Sequence, residues 1–374
     1  MSPLNCQLMA LAPLSLSLMA CAATPPQAPE SDYPFSDQQL QQALQERLAL
    51  LGTVSVRYGE QTYDRILASE VNKADLASGH SRLDLMVMLA SQSGQYLVLR
   101  IKEFQQVFEQ KSECELLLPD GDGYSRSKVT CQLKPNGEHY SAQLDNGQTV
   151  VFTAQPDAEY IYTIGSVLFK VEPKSSQPTS TIRLTSYSAF DPISEFFTGK
   201  RQPGSLGSAS YLSLKQALKP YPGQKAVLTI ANQIRGSVDD EINMFTGLLL
   251  RKRKVDTYLS YTGRVASGGV DLFSAGAHRT IELAEFDEDI SLTERLGVHS
   301  WRNMDTNLQA TEIPFDNDSH YRQASYFNQM LGSKGVPFYL YTINVAPADS
   351  MHYMTRSETE QYRLVNEFRV MASN

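Results

Sequence analysis

The sequence predicts an α/β protein with two folded domains, and three observations lead to this fold class. The chain has 374 residues, which is more than one domain of average size contains. From Thr181 to the C-terminus, apolar strands alternate with helices, a pattern typical of a mainly parallel sheet covered by helices. Residues 36–170 contain one helix followed by short β-type runs, which predicts an N-terminal α+β domain that is mostly β.

The composition is ordinary for a soluble globular protein, with 41% hydrophobic and 20% charged residues. A net charge of −8 argues against a nucleic-acid partner, because neutralising phosphates requires a basic face. The one dense basic run, residues 251–254, follows an apolar stretch that fits a helix. Cations there complement a helix C-terminus, so the run predicts a solvated helix end.

The first residues are predicted to be an export signal and not part of the fold. Residues 7–20 are apolar but too short to cross a bilayer as a helix. Residues 18–21 (Leu-Met-Ala-Cys) resemble the lipobox of bacterial lipoproteins, which implies a signal peptide over 1–21 and acylation of Cys21. Ala22 follows the cysteine in place of Asp, so the resemblance to Gram-negative lipoproteins implies an outer-membrane lipoprotein facing the periplasm. An ordinary cleaved signal with an incidental cysteine is the alternative.

Residues 22–35 are proline-rich and lack periodicity, so they are predicted to form a tether. Cys114 and Cys131 flank a segment that fits a β-hairpin. Export implies an oxidising compartment, in which an even pair of cysteines usually bonds. We therefore expect a disulfide between Cys114 and Cys131.

The N-terminal domain is predicted to begin with a helix that Ser36 caps. The apolar face of that helix comprises Leu40, Ala43, Leu44, Leu48 and Leu51. The β-type runs that follow are 54–56, 83–89, 96–101, 149–153 and 160–168. Residues 36–170 carry no motif for a metal, a phosphate or a nucleophile, so the sequence indicates no role for this domain.

Residues 171–180 are the predicted linker to a C-terminal domain over residues 181–374. The predicted strands of that domain are 181–184, 226–230, 255–260 and 280–283. Its predicted helices are 211–218, 237–250, 267–274, 320–331 and 356–368. Ser237 with Asp240, and Thr355 with Glu358, fit capping boxes at two helix starts.

Residues 261–276 carry the most specific motif of the chain, Tyr-Thr-Gly-Arg-Val-Ala-Ser-Gly-Gly-Val-Asp-Leu-Phe-Ser-Ala-Gly. This motif resembles the nucleophile segment of the Clp protease family, in which a strand ends in a glycine turn and an Ala-Ser pair opens a helix. Residues 228–245 resemble that family's strand, first loop and first helix, and residues 297–300 resemble the segment with its catalytic histidine. Residues 349–365 resemble the closing segment of Clp-like and signal-peptide-peptidase-like serine peptidases. The resemblance spans roughly residues 181–374 and implies a Clp protease/crotonase-like domain with a mainly parallel sheet.

The resemblance implies a serine-hydrolase site with Ser267 as nucleophile, His299 as base and Asp349 as acid. These residue types suit that chemistry, because a serine hydroxyl needs a base to take its proton and a third group must orient and stabilise the imidazolium. Gly236 and Gly268 fall where the family supplies two oxyanion N–H donors, and each such donor contributes roughly 10²–10³ in rate.

The site departs from the family's pattern at two places. Arg235 replaces the first loop glycine, and it either obstructs the oxyanion loop or binds an acidic group or C-terminal carboxylate of a substrate. The family's acid position falls on Met351, two residues after Asp349, so Asp316 and Asp318 stay open as the acid.

Together these features predict an exported, lipid-anchored serine hydrolase, a peptidase that acts on a peptide or protein substrate through an acyl-enzyme. A catalytically inactive binding or assembly module of the cell envelope is the first alternative. A crotonase-type acyl-CoA enzyme is the second, which export disfavours because the periplasm holds no CoA pool. The sequence has no His-Glu-x-x-His or Cys-x-x-Cys motif, so no metal or other cofactor is expected. Relatives of this fold often form rings or stacks, which leaves an oligomer open.

Overall fold

The structure is a computed structural model, and it describes the chain in fifteen segments. These are residues 28–49, 54–75, 81–91, 95–102, 111–120, 123–131, 134–136, 139–143, 147–152, 161–163, 165–172, 181–188, 203–284, 292–303 and 305–371. The predicted signal peptide with Cys21, the first part of the predicted tether and most of the predicted linker lie outside the described residues.

Helices and strands both occur among these residues, and they form an α/β protein. The helices are α1 (Asp37–Ala49), α2 (Ser208–Leu218), α3 (Asp240–Lys252), α4 (Gly268–Ser274), α5 (Asp318–Leu331), α6 (Gly335–Val345) and α7 (Arg356–Gln361). The strands of the N-terminal half are β1 (Val54–Tyr58), β2 (Gln61–Asp75), β3 (Ser81–Ser91), β4 (Tyr96–Ile101), β5 (Ser112–Asp120), β6 (Gly123–Cys131), β7 (Lys134–Asn136), β8 (His139–Gln143), β9 (Thr149–Phe152) and β10 (Ile161–Thr163). The remaining strands are β11 (Val167–Val171), β12 (Ile182–Ser188), β13 (Gly204–Leu206), β14 (Ala226–Ile230), β15 (Gln233–Ser237), β16 (Asp256–Leu259), β17 (Arg264–Ala266), β18 (Arg279–Leu283), β19 (Leu296–Val298), β20 (His352–Tyr353) and β21 (Glu367–Val370). No helix in the described segments is long and apolar enough to cross a membrane.

The N-terminal strands form one antiparallel sheet, as their short runs and turn residues predict. The strand order is β6-β5-β4-β3-β2-β1-β9-β8-β7, and β10 pairs with β2. Residues 87–90 of β3 and 97–99 of β4 are almost fully buried, so the middle of the sheet is its core. Cys114 is buried on β5 and disulfide-bonded. The side chain of Cys131 lies outside the described ones, so its pairing with Cys114 stays a prediction.

The C-terminal strands form two sheets where the sequence analysis predicted one. The first sheet has the order β11-β12-β14-β16-β18-β21 and the second the order β13-β15-β17-β19-β20. All neighbouring strands are parallel except the β11–β12 and β19–β20 pairs. The chain alternates between the sheets and then forms a helix, giving β14-β15-α3 and then β16-β17-α4. The strands of the second sheet are short, three to five residues in β15, β17 and β19, which is why their apolar pattern is weak.

The domain boundaries differ from the predicted ones at both ends of the N-terminal half. Strand β11 pairs with β12 in the first C-terminal sheet, so the predicted linker lies within that sheet's first connection. Helix α1 buries Leu40, Ala43 and Leu44 against Phe245 of α3 and not against the antiparallel sheet. The predicted tether also makes a specific contact there, because the Tyr33 amide donates to Ser325 Oγ at 2.8 Å. In both cases, contacts between segments distant in sequence place the element, β11 or α1, with the C-terminal domain.

Helix ends were predicted with mixed success. The capping box of Thr355 with Glu358 is confirmed, whereas Asp239 caps α3, accepting from the Ile242 amide at 3.1 Å, and Ser237 ends β15. The predicted helix 356–368 is wrong in its second half, because α7 ends at Gln361 and the chain turns to form β21 against β18.

Candidate active site

Three neighbouring strands of the second sheet end at the same edge. Strands β15, β17 and β19 are parallel neighbours, and Gly236, Ser267 and His299 lie at or just beyond their carboxyl ends. Since the carboxyl ends of parallel strands meet at one sheet edge, these residues come together from three separate chain segments. A small cleft lies here, lined by Asp240, Ser267, Val270, Asp271, Val298, His299, Trp301, Gln323, Phe327 and Thr342.

Ser267 has an unusual backbone conformation between β17 and α4. Its φ is 50° and its ψ is −126°, a sparsely populated combination for a residue with a side chain, which costs roughly 1–3 kcal/mol. Its amide donates to the Gly297 carbonyl at 2.9 Å, which fixes this turn to the neighbouring strand β19. The turn presents the Ser267 side chain to the cleft. Backbone strain at a cleft residue is a feature of functional sites.

The two predicted oxyanion glycines lie on either side of Ser267. Gly236 has a φ of +152°, and a Cβ atom there would lie 3.2 Å from Ser267 Cβ and 3.6 Å from Ser267 Oγ. Gly268 is the first residue of α4, so its N–H has no acceptor within the helix. A side chain at Gly268 would collide with Ser237 and with Asn243, whose amide donates to the Gly268 carbonyl at 2.9 Å. Close approach therefore favours glycine at Gly268, and the φ of +152° favours it at Gly236.

His299 is the titratable base of the cleft. Burial lowers its pKa below the usual 6.5, against opposing contributions from the backbone at Ser300 and Ala348 and from the charge on Asp240. Its Nδ1 atom is buried without a hydrogen-bond partner among the described residues. No hydrogen bond joins Ser267 to His299 in this part of the chain, although both line the cleft. Such bonds often form only when substrate binds. The lowered pKa keeps the imidazole neutral, as a base requires.

Two aspartates that the sequence analysis did not assign to the site, Asp240 and Asp271, also line the cleft. Burial raises the pKa of Asp240, and a hydrogen bond from Ser237 together with the charge on His299 offsets part of the rise. Asp240 nevertheless has an exposed surface in the first turn of α3, so the rise in its pKa is moderated by contact with water. Burial, and then the charge on Asp240, raise the pKa of Asp271 well above its usual range. The cleft thus contains two carboxyls that are disfavoured in their charged form.

The structure does not bring the predicted acid, Asp349, into the cleft. Its side chain is 72% exposed and lies 3.7 Å from the Arg302 guanidinium. The alternatives Asp316 and Asp318 are exposed and do not line the cleft either. Met351 packs against Gly297, so an apolar contact occupies the family's acid position. Of the described acidic residues, Asp240 and Asp271 lie in the cleft with His299.

Arg235 also lies outside the cleft lining. It is an exposed residue of β15, because the strand alternation that buries Ile234 and Gly236 turns Arg235 to the other side.

The sequence contained a signal for the two missed aspartates. Asp271 follows Ser267 by four positions, the spacing that places residues on one helix face, and Asp240 stands in the first turn of α3.

A buried hydrogen-bond chain supports one wall of the cleft. Trp301 Nε1 donates to Tyr339 Oη at 3.0 Å, and that oxygen lies 2.7 Å from His320 Nδ1. His320 Nε2 lies 3.0 Å from the Ala310 carbonyl, which only accepts. Therefore Nε2 carries the proton and Tyr339 donates to Nδ1. Burial lowers the pKa of His320, which favours this neutral form. His320 is thus a structural residue that fixes Trp301.

Within the described segments, no group of three or more His, Cys, Asp or Glu residues is placed to hold a metal ion. Comparison with known families gave no match to any family model. Comparison with curated proteins gave no similar sequence either. The chemistry of the cleft is therefore argued from its own geometry.

Proposed function

We propose that this protein is a serine hydrolase in which Ser267 is the nucleophile and His299 the general base. The observation that carries the proposal is the meeting of Gly236, Ser267 and His299 at three neighbouring strand ends, with Ser267 in a strained turn facing the cleft. The alternation of strands between two sheets, followed by a helix, supports the resemblance to Clp protease/crotonase-like domains.

In the proposed mechanism, His299 takes the Ser267 proton as the hydroxyl oxygen attacks a substrate carbonyl carbon. The carbonyl oxygen becomes an oxyanion that the N–H groups of Gly236 and Gly268 stabilise. The tetrahedral intermediate collapses, the leaving group departs with the proton from His299, and an acyl-enzyme remains. Water then attacks the acyl carbon while His299 takes one of its protons. The acyl–oxygen bond to Ser267 breaks, His299 returns the proton to the Ser267 oxygen, and the acid product departs.

We assign the acid role to Asp240 in place of Asp349. The negative charge on Asp240 raises the pKa of His299, so Asp240 stabilises the imidazolium that forms when Ser267 loses its proton. The hydroxyl of Ser237 hydrogen-bonds the Asp240 carboxyl and favours its charged form. Asp271 also lines the cleft, and burial followed by the charge on Asp240 raises its pKa well above the usual range.

The proposed setting is the cell envelope of a Gram-negative bacterium, with a lipid on Cys21 holding the protein at the outer membrane. The proposed substrate is a peptide or protein, in keeping with the peptidases that residues 261–276 resemble. Metabolic labelling with a palmitate analogue should mark the wild type and not Cys21→Ala. Equal labelling of both proteins contradicts the anchor.

The alternative is a binding or assembly module that has kept the fold without activity. The missing hydrogen bond between Ser267 and His299 favours this alternative. A crotonase-type acyl-CoA enzyme would use the oxyanion glycines and the two cleft aspartates but would not need the Ser267 hydroxyl.

The deciding experiment is labelling of the full chain with a fluorophosphonate probe. We expect labelling of the wild type, none of Ser267→Ala and strongly slowed labelling of His299→Ala. Ser333→Ala, which removes an exposed hydroxyl away from the cleft, serves as the matched control and should label like the wild type. Labelling that survives in Ser267→Ala, or is absent from the wild type, rules out the hydrolase and leaves the two non-covalent functions.

A further inference from the structure

A second cavity adjoins the cleft and is much richer in arginine. It has a volume of about 730 Å³, open to solvent, and shares Asp240, Trp301 and Gln323 with the cleft. Three arginines line it, Arg47 of α1, Arg302 and Arg322, whereas no arginine or lysine lines the cleft itself. A substrate with its reacting carbonyl at Ser267 could therefore extend past Trp301 into this arginine-lined cavity.

Two of these arginines already have carboxylate partners within the cavity wall. Arg47 Nε lies 2.8 Å from Asp239 Oδ2, and Arg322 Nη1 lies 3.3 Å from Glu241 Oε1. The third acid of the wall, Asp240, accepts from Ser237. The opposite charges within each ion pair cancel, so these residues contribute to the structure of the wall and leave little net charge to attract a ligand.

The hydrogen-bond donors of Arg302 are less well satisfied than those of Arg47 and Arg322. Its Nε atom is buried and has no acceptor among the described residues. Its ion pair is with Asp349, whose Oδ2 lies 3.7 Å from Arg302 Nη2, which is beyond hydrogen-bond length. The Asp349 side chain is 72% exposed, so water competes for it. An arginine edge formed by Nε and Nη2 matches the two oxygens of one carboxylate.

The backbone holds Arg302 close to the reacting residues. The Ala310 amide donates to the Trp301 carbonyl at 2.9 Å, and Arg302 forms an antiparallel bridge with Gln309. Arg302 follows His299 by three positions, which places their Cα atoms at most about 11 Å apart. Arg302 therefore stays within a few residue lengths of the proposed base.

We propose that Arg302 binds a carboxylate of the substrate in this cavity, with Asp349 as the internal group that the carboxylate displaces. The ligand carboxylate accepts from Nε and Nη2 and satisfies the buried Nε–H. This inference rests on the proposed hydrolase function and narrows its substrates to acids, carrying either a C-terminal carboxylate or an Asp or Glu side chain. It also gives Asp349 a role in binding in place of the predicted role as the triad acid.

Binding can be measured without turnover, because Trp301 is the single tryptophan of the chain and lines both cavities. Full-length Ser267→Ala is titrated with N-acetyl-alanyl-alanine and with its C-terminal amide while Trp301 fluorescence is followed. We expect the carboxylate to bind at least tenfold more tightly than the amide. Arg302→Gln should remove this preference, Arg302→Lys should keep only part of it because lysine lacks the planar fork, and Arg356→Gln on α7 should retain it.

Two further arms sharpen the test. N-acetyl-aspartyl-alaninamide carries its acid on a side chain, so its affinity relative to the C-terminal acid identifies which source of carboxylate the cavity takes. Asp349→Asn removes the competing carboxylate and should tighten binding of the acid twofold or more without changing the amide. Equal affinity of acid and amide in Ser267→Ala, or an unchanged preference when Arg302→Gln is added and the protein stays folded, overturns the inference. Fluorophosphonate labelling of Ser267 is scored separately, so failure of the hydrolase and failure of the carboxylate site give different results.

Discussion

The two halves of the molecule bury charged groups in opposite ways. On the antiparallel sheet, Arg100 and Glu115 face each other in register on β4 and β5, and their side chains pair at 3.1 Å with 8% and 1% exposure. In the C-terminal cleft, Asp240, Asp271 and His299 all have pKa values shifted against their charged forms. A compensated charge pair is a part of the architecture, whereas incompletely compensated groups in one cleft indicate chemistry.

The buried arginines of the C-terminal domain sharpen this contrast. Arg279 and Arg295 are buried, and burial lowers the pKa of each to about 10. Both donate to backbone carbonyls, such as those of Leu364 and Gly263. Their donors are therefore used in holding loops together. Burial of charge alone does not identify a site, whereas shifted pKa values of a base and two acids around a strained serine support the proposed one.

The largest effect is expected at Ser267. Ser267→Ala should lower kcat by a factor of about 10⁶, the loss seen when a catalytic nucleophile is deleted. Ser267→Gly should do the same and should also raise the free energy of unfolding by roughly 1 kcal/mol relative to Ser267→Ala, because glycine tolerates a φ of 50°. Probe labelling and denaturant unfolding measure the two effects. Equal stability of the two variants would show that the turn is unstrained.

Asp240→Asn should lower kcat by roughly 10²–10⁴, since the imidazolium loses the nearby negative charge. Asp349→Asn should lower kcat far less, because that side chain lies outside the cleft. Kinetics on an uncharged ester substrate compare the variants without involving the proposed carboxylate site at Arg302. A larger loss in Asp349→Asn would restore Asp349 as the acid.

Breaking the compensated pair should damage the fold and leave the site intact. Arg100→Ala should lower the free energy of unfolding by at most about 3–5 kcal/mol, because the buried Glu115 loses its closest partner and keeps only the ammonium groups of Lys102 and Lys128, at 4.0 and 3.7 Å. Lys128 is an exposed neighbour of Glu115, so Lys128→Ala serves as the control. It should lower the free energy of unfolding by at most about 1 kcal/mol. Labelling of folded Arg100→Ala with the fluorophosphonate should match the wild type. Slowed labelling would show that the two halves are coupled.

The pH dependence of labelling reports on His299. Its pKa in the folded protein lies below 6.5, so activity should fall only as the pH drops through a value below 6.5 and the imidazole becomes protonated. Asp240→Asn removes a charge that raises this pKa, and the acidic limb should move to still lower pH. A limb at or above 6.5 in the wild type would contradict burial as the dominant cause.

The smallest effect concerns Asp271. Its raised pKa means that its contribution to stability is fully present below the unfolded pKa, about 3.9, and is lost as the pH rises through the folded value. Asp271→Asn should therefore increase Tm relative to the wild type by more at pH 8 than at pH 4. Asp316→Asn is an exposed control. Its free energy of unfolding should stay within about 0.5 kcal/mol of the wild-type value at both pH values. A larger increase at pH 4 would contradict the direction of the shift.

Local patterns in the sequence determined which segments become strands and helices around the site. The strand 226–230, the helix that Ser267 opens and the cap at Thr355 all follow from hydrophobic periodicity and end signals, which act within a few residues. Ser267, His299, Gly236 and Gly268 could be named because the segments around them resemble those of the Clp protease family. The second sheet could not be predicted, since its strands are too short for a clear period.

Tertiary structure alone decided which acids and which arginine face the site. Asp240 and Asp349 are the same residue type. The packing of α3 beside α4 places Asp240 in the cleft lining, whereas Asp349 lies outside it. The same holds for α1, whose Arg47 reaches a cavity more than 190 residues away in the chain. Which neighbours surround a side chain, and hence its pKa and its partners, depends on contacts between segments distant in sequence. Local propensity carries no information about those contacts.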